Sequence, residues 1–346
     1  MIGARKSQLG LSLVEIMISL AIGAFMLLGI IALVASVSGT RSKLAVVSAQ
    51  AENGRYALHL LSEDLALAGF LGRYRPGVGV ATYVAPDPCE NSGVASDLGF
   101  DPSTTTLPLP ITAVVSGGAM PGCISAESPV ANSELLSIHR VAVEDIAVDD
   151  IPSVNNTPYL QISNCELDLQ NYRLSTDASA LTLRAKGCVD TARVRAYMVR
   201  SYFVSSCEDC SASGDGRPTL KVLEYAGGSR SVLPLVSGVE DIHFAYGLDL
   251  DGDGGPDCYA ANPGSTVAPS GCPTANWSST AVENWRDVVS VRVDMLIRSE
   301  EEVLGSAVKD TYDLGRASAL GPFDDRFKRQ VVSSVVMLPN IAGPRE

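Results

Sequence analysis

From Ile16 to Val37 the chain runs for 22 residues without a charged side chain. At a rise of about 1.5 Å per residue, an α-helix of that length covers roughly 33 Å, enough to cross the hydrocarbon core of a bilayer. A secretory signal peptide has a shorter apolar core, about 7–15 residues, followed by a small-residue cleavage site. Here the run is longer and no A-x-A site comes directly after it. Arg5 and Lys6 precede the run, and basic residues hold their end of a membrane helix in the cytoplasm. The chain beyond Val37 is therefore expected outside. Glu15 breaks the apolar pattern at its N-terminal edge. A carboxylate in hydrocarbon costs about 2.5–3.5 kcal/mol at mid-membrane and less near the interface, so a charge kept there implies a partner.

Eight cysteines, Cys89, Cys123, Cys165, Cys188, Cys207, Cys210, Cys258 and Cys272, all lie beyond the apolar segment. Their even number suits disulfides, which persist in oxidising compartments such as the bacterial periplasm. Basic N-terminus and cysteine placement thus agree on sidedness. Eight cysteines allow 105 pairings. Short loop closure favours sequence neighbours: Cys89–Cys123, Cys165–Cys188, Cys207–Cys210 and Cys258–Cys272. Cys207-Glu-Asp-Cys210 also reads as half a zinc site, but no second CxxC stands at ligand spacing and the chain has only three histidines. No βαβ pattern surrounds it to suggest a redox motif. The chain holds 39 acidic against 26 basic residues, a net charge of −13, which repels phosphates and argues against nucleic acid as a partner.

Gly10, then Leu11-Ser12-Leu13-Val14-Glu15, then the uncharged run, resembles the class III signal of type IV prepilins and pseudopilins. The resemblance implies cleavage by a membrane peptidase between Gly10 and Leu11, with N-methylation of Leu11. Glu15 becomes the fifth mature residue, where the family has its glutamate; Leu11 stands where the family more often has Phe. Cleavage creates a cationic amine at Leu11, and in a low-dielectric bundle of helices the Glu15 carboxylate of one subunit can neutralise the amine of its neighbour. Such a pair is far stronger there than at a surface, and it selects one axial stagger.

Beyond the membrane segment, Leu44, Val47, Ala51, Gly54, Leu58, Leu61, Leu65 and Ala68 recur at spacings of three and four, an amphipathic helix with one apolar stripe. Arg41, Lys43, Glu52, Arg55, Glu63 and Asp64 lie off it. The stripe is expected to pack on the chain's own sheet, with Gly69 and Gly72 stopping the helix. Past Tyr74 the chain turns to short apolar runs punctuated by Pro and Gly, read as strands at 113–115, 134–139, 159–162, 180–184, 194–204, 220–224, 242–246, 288–297 and 331–337. Residues 86–130 and 260–283 read as long loops stapled by disulfides. The expected fold is α+β: a leader (1–10), a transmembrane and assembly helix (11–38), an amphipathic continuation (39–72) and a β-rich extracytoplasmic head (73–346), with a soft subdivision near 206–217.

Several phrases are similar to PilW-type minor pilins: Glu52-Asn-Gly-Arg-Tyr-Ala57, Asp64 through Ala68-Gly69-Phe70, Val239-Glu-Asp-Ile242 before Tyr246-Gly247, Asp249-Leu-Asp-Gly-Asp-Gly254, and Arg329 through Leu338-Pro-Asn340, where the family often has Arg in place of Pro339. The resemblance implies a low-abundance subunit that primes pilus assembly near the fibre tip with other minor pilins, the major pilin and the prepilin peptidase as partners. It implies a single-pass inner-membrane protein with a periplasmic head that later reaches the cell surface. A pseudopilin of type II secretion shares the N-terminal signal, and a tip-borne adhesin is compatible with the same architecture.

Asp249, Asp251, Asp253 and Asp257 fall within nine residues, in a D-x-D-x-D-G opening like that of an EF-hand loop. The position of the bidentate Glu holds Ala260, and no helix is evident on either side. A weakly held calcium ion or a solvated acidic hairpin both fit; no other cofactor is expected. His59, His139 and His243 read as structural, and no G-x-S-x-G, H-E-x-x-H, Walker or dinucleotide fingerprint occurs, so nothing supports catalysis.

Overall fold

A computed structural model describes residues 12–76, 80–212, 214–303, 307 and 309–342. One unbroken helix, α1 (Leu13–Ala66), spans 54 residues, about 81 Å at the standard rise. Among the described residues it is the one helix long and apolar enough to cross a membrane. Its first half is bare: the large apolar side chains from Leu13 to Val37 are exposed. The amphipathic stripe divides. Leu44 and Val47 remain exposed, Ala51 and Leu58 are half-buried, and Gly54, Leu61, Leu65 and Ala68 are buried. Docking on the head therefore occupies only the outer part of the stripe, from Gln50 onward.

The helix was expected to run toward Gly72 and instead ends at Ala66. Leu67 and Ala68 turn their amides to the carbonyls of Asp64 and Leu65, tightening the last turn, and Gly69 takes φ +70° while donating to the His139 carbonyl at 2.9 Å. That conformation suits glycine, so the stop lies at Gly69 with the helix already ended.

The larger sheet contains β3 (Ile111–Val114), β4 (Leu135–Val141), β5 (Tyr159–Ile162), β6 (Tyr172–Ser175), β7 (Val194–Ser205), β8 (Thr219–Ala226) and β9 (Ser229–Ser237), after a short parallel pair, β1 (Thr82–Val84) and β2 (Thr106–Pro108). β7 is its hub, antiparallel to β4, β5 and β8. Residues 206–217 join β7 to β8, which pair directly. The second sheet is antiparallel in the order β11-β10-β12-β13, with β10 (Val239–Leu248), β11 (Cys258–Ala260), β12 (Val288–Arg298) and β13 (Arg329–Met337). A short helix, α2 (Ala281–Arg286), leads into β12.

Residues 180–184 are not a strand. Leu181 and Leu183 do point inward, but Ala178–Ala180 form a 3-10 turn and Arg184 makes only an isolated bridge to Thr191. β9 went unforeseen because Pro234 interrupts it. It survives as a strand on one edge of the sheet, pairing with β8 alone across a register shift at Leu220/Lys221, where a missing amide does no harm.

The main core forms where the end of α1 enters between the sheets: Ala57, Leu61, Leu65 and Ala68 pack with Leu136 and Ile138 of β4, Phe244 and Tyr246 of β10 and Val293, Met295 and Ile297 of β12. Burial of this apolar surface, at roughly 25 cal/mol per Å², is the principal force seating the helix.

Candidate assembly site

Gly10 and Leu11 lie outside the described residues. The chain becomes helical immediately after Ser12, whose extended backbone (φ −68°, ψ 142°) places its carbonyl to accept from the amides of Glu15 at 3.0 Å and Ile16 at 3.2 Å. Glu15 thus sits in the first turn, where the helix dipole favours a negative charge. It is exposed, and Ser19, Gly23 and Leu27 come after it at intervals of four along one side of the helix. The Ser19 hydroxyl donates to the Glu15 carbonyl at 2.7 Å, so the side-chain carboxylate stays available at the edge of an uncharged surface.

The other end of α1 is held to the head by polar anchors as well as by the core. Asp64, counted off the apolar stripe in the sequence, is buried. It accepts from Arg140 Nε at 2.7 Å and from the Tyr202 hydroxyl at 2.8 Å, with Arg200 at 3.7 Å. Burial pushes the Tyr202 hydroxyl up, which keeps it a donor. Gln50, also buried, donates to the carbonyls of Ile297 at 2.6 Å and Lys328 at 3.2 Å. Asn340 donates to the Ala66 and Ala68 carbonyls, both at 3.2 Å, satisfying acceptors that a helix end leaves free. Gly54 permits close approach: a Cβ there would lie 3.2 Å from Ile297 and 3.3 Å from Val332. Gln50 carries no recognisable sequence signal, and Asn340 stands out only as the end of a family-like phrase, because their partners are backbone carbonyls brought near only by the fold.

The histidines are in structural contacts. His139 is buried, 3.0 Å from the Tyr197 hydroxyl, and burial with the charge of Arg230 pushes its imidazole down to about 3. His243 Nδ1 lies 2.6 Å from Glu134, which also accepts from the Phe244 amide at 2.9 Å. His59 lies on the surface of α1, 3.4 Å from Glu63.

In the acidic loop, Asp249, Asp251 and Asp257 each offer an oxygen, all within 4.8 Å of one another. Asp253 turns away and accepts from the Gly255 amide at 2.7 Å. Asp249 is buried and accepts from the amides of Gly252 at 2.7 Å and Gly254 at 3.0 Å, while Asp257 accepts from those of Leu250 and Asp251. Three carboxylates make an all-oxygen donor set of the kind a hard cation takes, and their remaining lone pairs are compatible with one. The four disulfides are Cys89–Cys123, Cys165–Cys188, Cys207–Cys210 and Cys258–Cys272, and no described cysteine is free.

Residues 201–340 match the family model described as type IV pilus-assembly protein W, and residues 5–31 match the one described as a prokaryotic N-terminal methylation motif. The first match runs from within β7 through β13 to Asn340; the second covers Gly10, Leu11 and Glu15. No curated protein and no solved structure matches the chain.

Proposed function

We propose that the chain, whose residues 201–340 match the type IV pilus-assembly protein W model and residues 5–31 the N-terminal methylation motif, is a type IV pilus-related pilin and, within that class, a minor pilin that helps initiate pilus assembly near the fibre tip. The observation that carries the reading is Glu15. It is the lone carboxylate at the head of an exposed, uncharged helical surface, and that helix continues without a break into a head to which it is firmly anchored.

In this reading the peptidase cuts between Gly10 and Leu11, and Leu11 is N-methylated. The Glu15 carboxylate then meets the amine of a neighbouring pilin inside the helix bundle. An ion pair in that low-dielectric setting fixes axial register, whereas a mismatched stagger leaves a charge unpaired in hydrocarbon. The partners are other minor pilins and the major pilin, through α1, and the processing enzyme. The head occupies the periplasm before assembly, in keeping with its disulfides, and the cell surface afterwards. The domain is structural and catalysis plays no part. The acidic loop enters the same proposal as a weak calcium site held by Asp249, Asp251 and Asp257.

Glu15→Ala is expected to leave membrane insertion intact and to reduce pilus incorporation severely, as scored by pilus counts in a deletion strain complemented with each allele. Pili restored to wild-type number by the variant would refute the role of Glu15.

A further inference from the structure

A cleft of about 800 Å³ opens where the chain leaves the end of α1, between residues 71–73, β5 and the start of β7. Its charge runs against the rest of the molecule. The chain carries 39 acidic and 26 basic residues, yet this cleft is lined by Arg73, Lys186, Arg193 and Arg195 against only Asp145 and Glu166. Leu160 and Ile162 supply an apolar floor.

The basic residues fall into two groups. Arg193 and Arg195 are fixed. Both pair with Asp145: Arg193 through Nε, and Arg195 through Nη2 at 2.8 Å. Arg195 also donates to the Ala142 carbonyl at 3.2 Å and lies over the Phe70 ring at 5.6 Å. Gly72 allows this packing, since a Cβ there would come within 3.2 Å of Arg195 Nε. The hydrogen bond from Arg193, and then the charges of Arg195, Arg193 and Arg73, hold the Asp145 carboxyl below its ordinary range. Arg73 and Lys186, both exposed, make no hydrogen bond or ion pair with any described residue. Lys186 is nevertheless well placed. It sits on a turn closed by the Ala185 amide on the Asp190 carbonyl at 2.8 Å and tied down by the Cys165–Cys188 disulfide. One side is thus a neutralised scaffold, and beside it stand two exposed cations, Arg73 near the field of Asp145 and Lys186, without a direct hydrogen bond or ion pair among the described residues.

We propose that this cleft binds a short ligand bearing carboxylate groups along a partly apolar chain. Guanidinium forks match carboxylates in geometry, and the volume lies in the range of ligand sites. A long polyanion would extend beyond the cleft into the field of a molecule with net charge −13, which favours a short, sparsely charged ligand. The cleft adjoins the end of α1 remote from the membrane segment. Acidic oligosaccharides and acidic peptides share this chemistry.

The test is calorimetric titration of the full chain in detergent micelles at low salt with trigalacturonate, triglutamate, inorganic phosphate and neutral maltotriose. Saturable binding of at least one carboxylate probe at one site per chain is expected, weakening as salt rises. Which of the two binds identifies the source. Arg73→Ser and Lys186→Ser should each weaken binding about tenfold without moving the thermal midpoint, because neither residue holds the fold. Lys309→Ser, on an exposed lysine 3.7 Å from Asp324, should change nothing. The proposal is overturned if neither carboxylate probe saturates, if phosphate or maltotriose binds as tightly, or if Lys309→Ser weakens binding equally.

Discussion

At the scale of single residues, the polar groups buried between helix and head govern how the molecule responds to mutation and pH. Asp64 illustrates the first. Removing one partner of a buried ion pair leaves the other charge uncompensated, at about 3–5 kcal/mol. Asp64→Ala should destabilise the full chain by that order in denaturant unfolding, Arg140→Ala by less because Arg200 and Tyr202 still face the carboxylate, and the double variant should lose clearly less than the two combined. Additive losses would show that the pair is not coupled. His139 illustrates the second. Its imidazole is held near 3 in the fold, against an ordinary value of 6.5. The unfolded chain therefore takes up a proton below about pH 6.5 that the folded chain refuses. This contribution to stability is complete above pH 6.5 and is lost as pH falls toward 3, by up to about 1.4 kcal/mol per pH unit. The thermal midpoint should fall between pH 6.5 and 5, and His139→Asn should flatten that fall; an unchanged slope in the variant would rule His139 out. The partners that bury these residues are not legible in sequence. Arg140 is 76 residues from Asp64, and Tyr197 is 58 from His139.

Among elements, the acidic loop offers the sharpest experiment. Calcium titration of the full chain should give saturable heat with a Kd of about 10⁻⁴–10⁻³ M, the range of extracellular modules, and Asp251→Ala should abolish it. Silence in both proteins would discard the site. How far each element could be read in advance depended on its pattern. β7, β10, β12 and β13 are nine to twelve residues long and rich in Val or aromatic residues, and α1 declares itself through an uncharged run succeeded by a three-four stripe. β9 hid behind Pro234 and a largely exposed surface, and three-residue strands such as β1, β2 and β11 are too short to show a period. Alternation at Leu181 and Leu183 misled because burial of alternate side chains does not require a neighbouring strand. In the candidate assembly site, Glu15 stands out as a charge in an apolar field. Leu44 and Val47, given to the head by the same stripe, are exposed because the head begins to grip only at Gln50.

For the whole molecule, the disulfides distribute stability unevenly. Chain-entropy reasoning assigns about 4 kcal/mol to closing the 34-residue separation of Cys89–Cys123, and about 1.6 kcal/mol to the three-residue separation of Cys207–Cys210. Replacing the first pair by Ala should therefore lower the thermal midpoint more than replacing the second, and the reverse order would contradict that ranking. The order of threading matters as well. β13 forms the edge of the second sheet against β12, it touches α1 through Val332 at Gly54, and Asn340 just beyond it closes the helix end. For a chain fed outward from α1, these pieces cross after every other strand described. The rod is delivered first and its latch last, so a ribosome stalled before residue 329 would leave the rod's oily flank uncovered and the subunit unable to close.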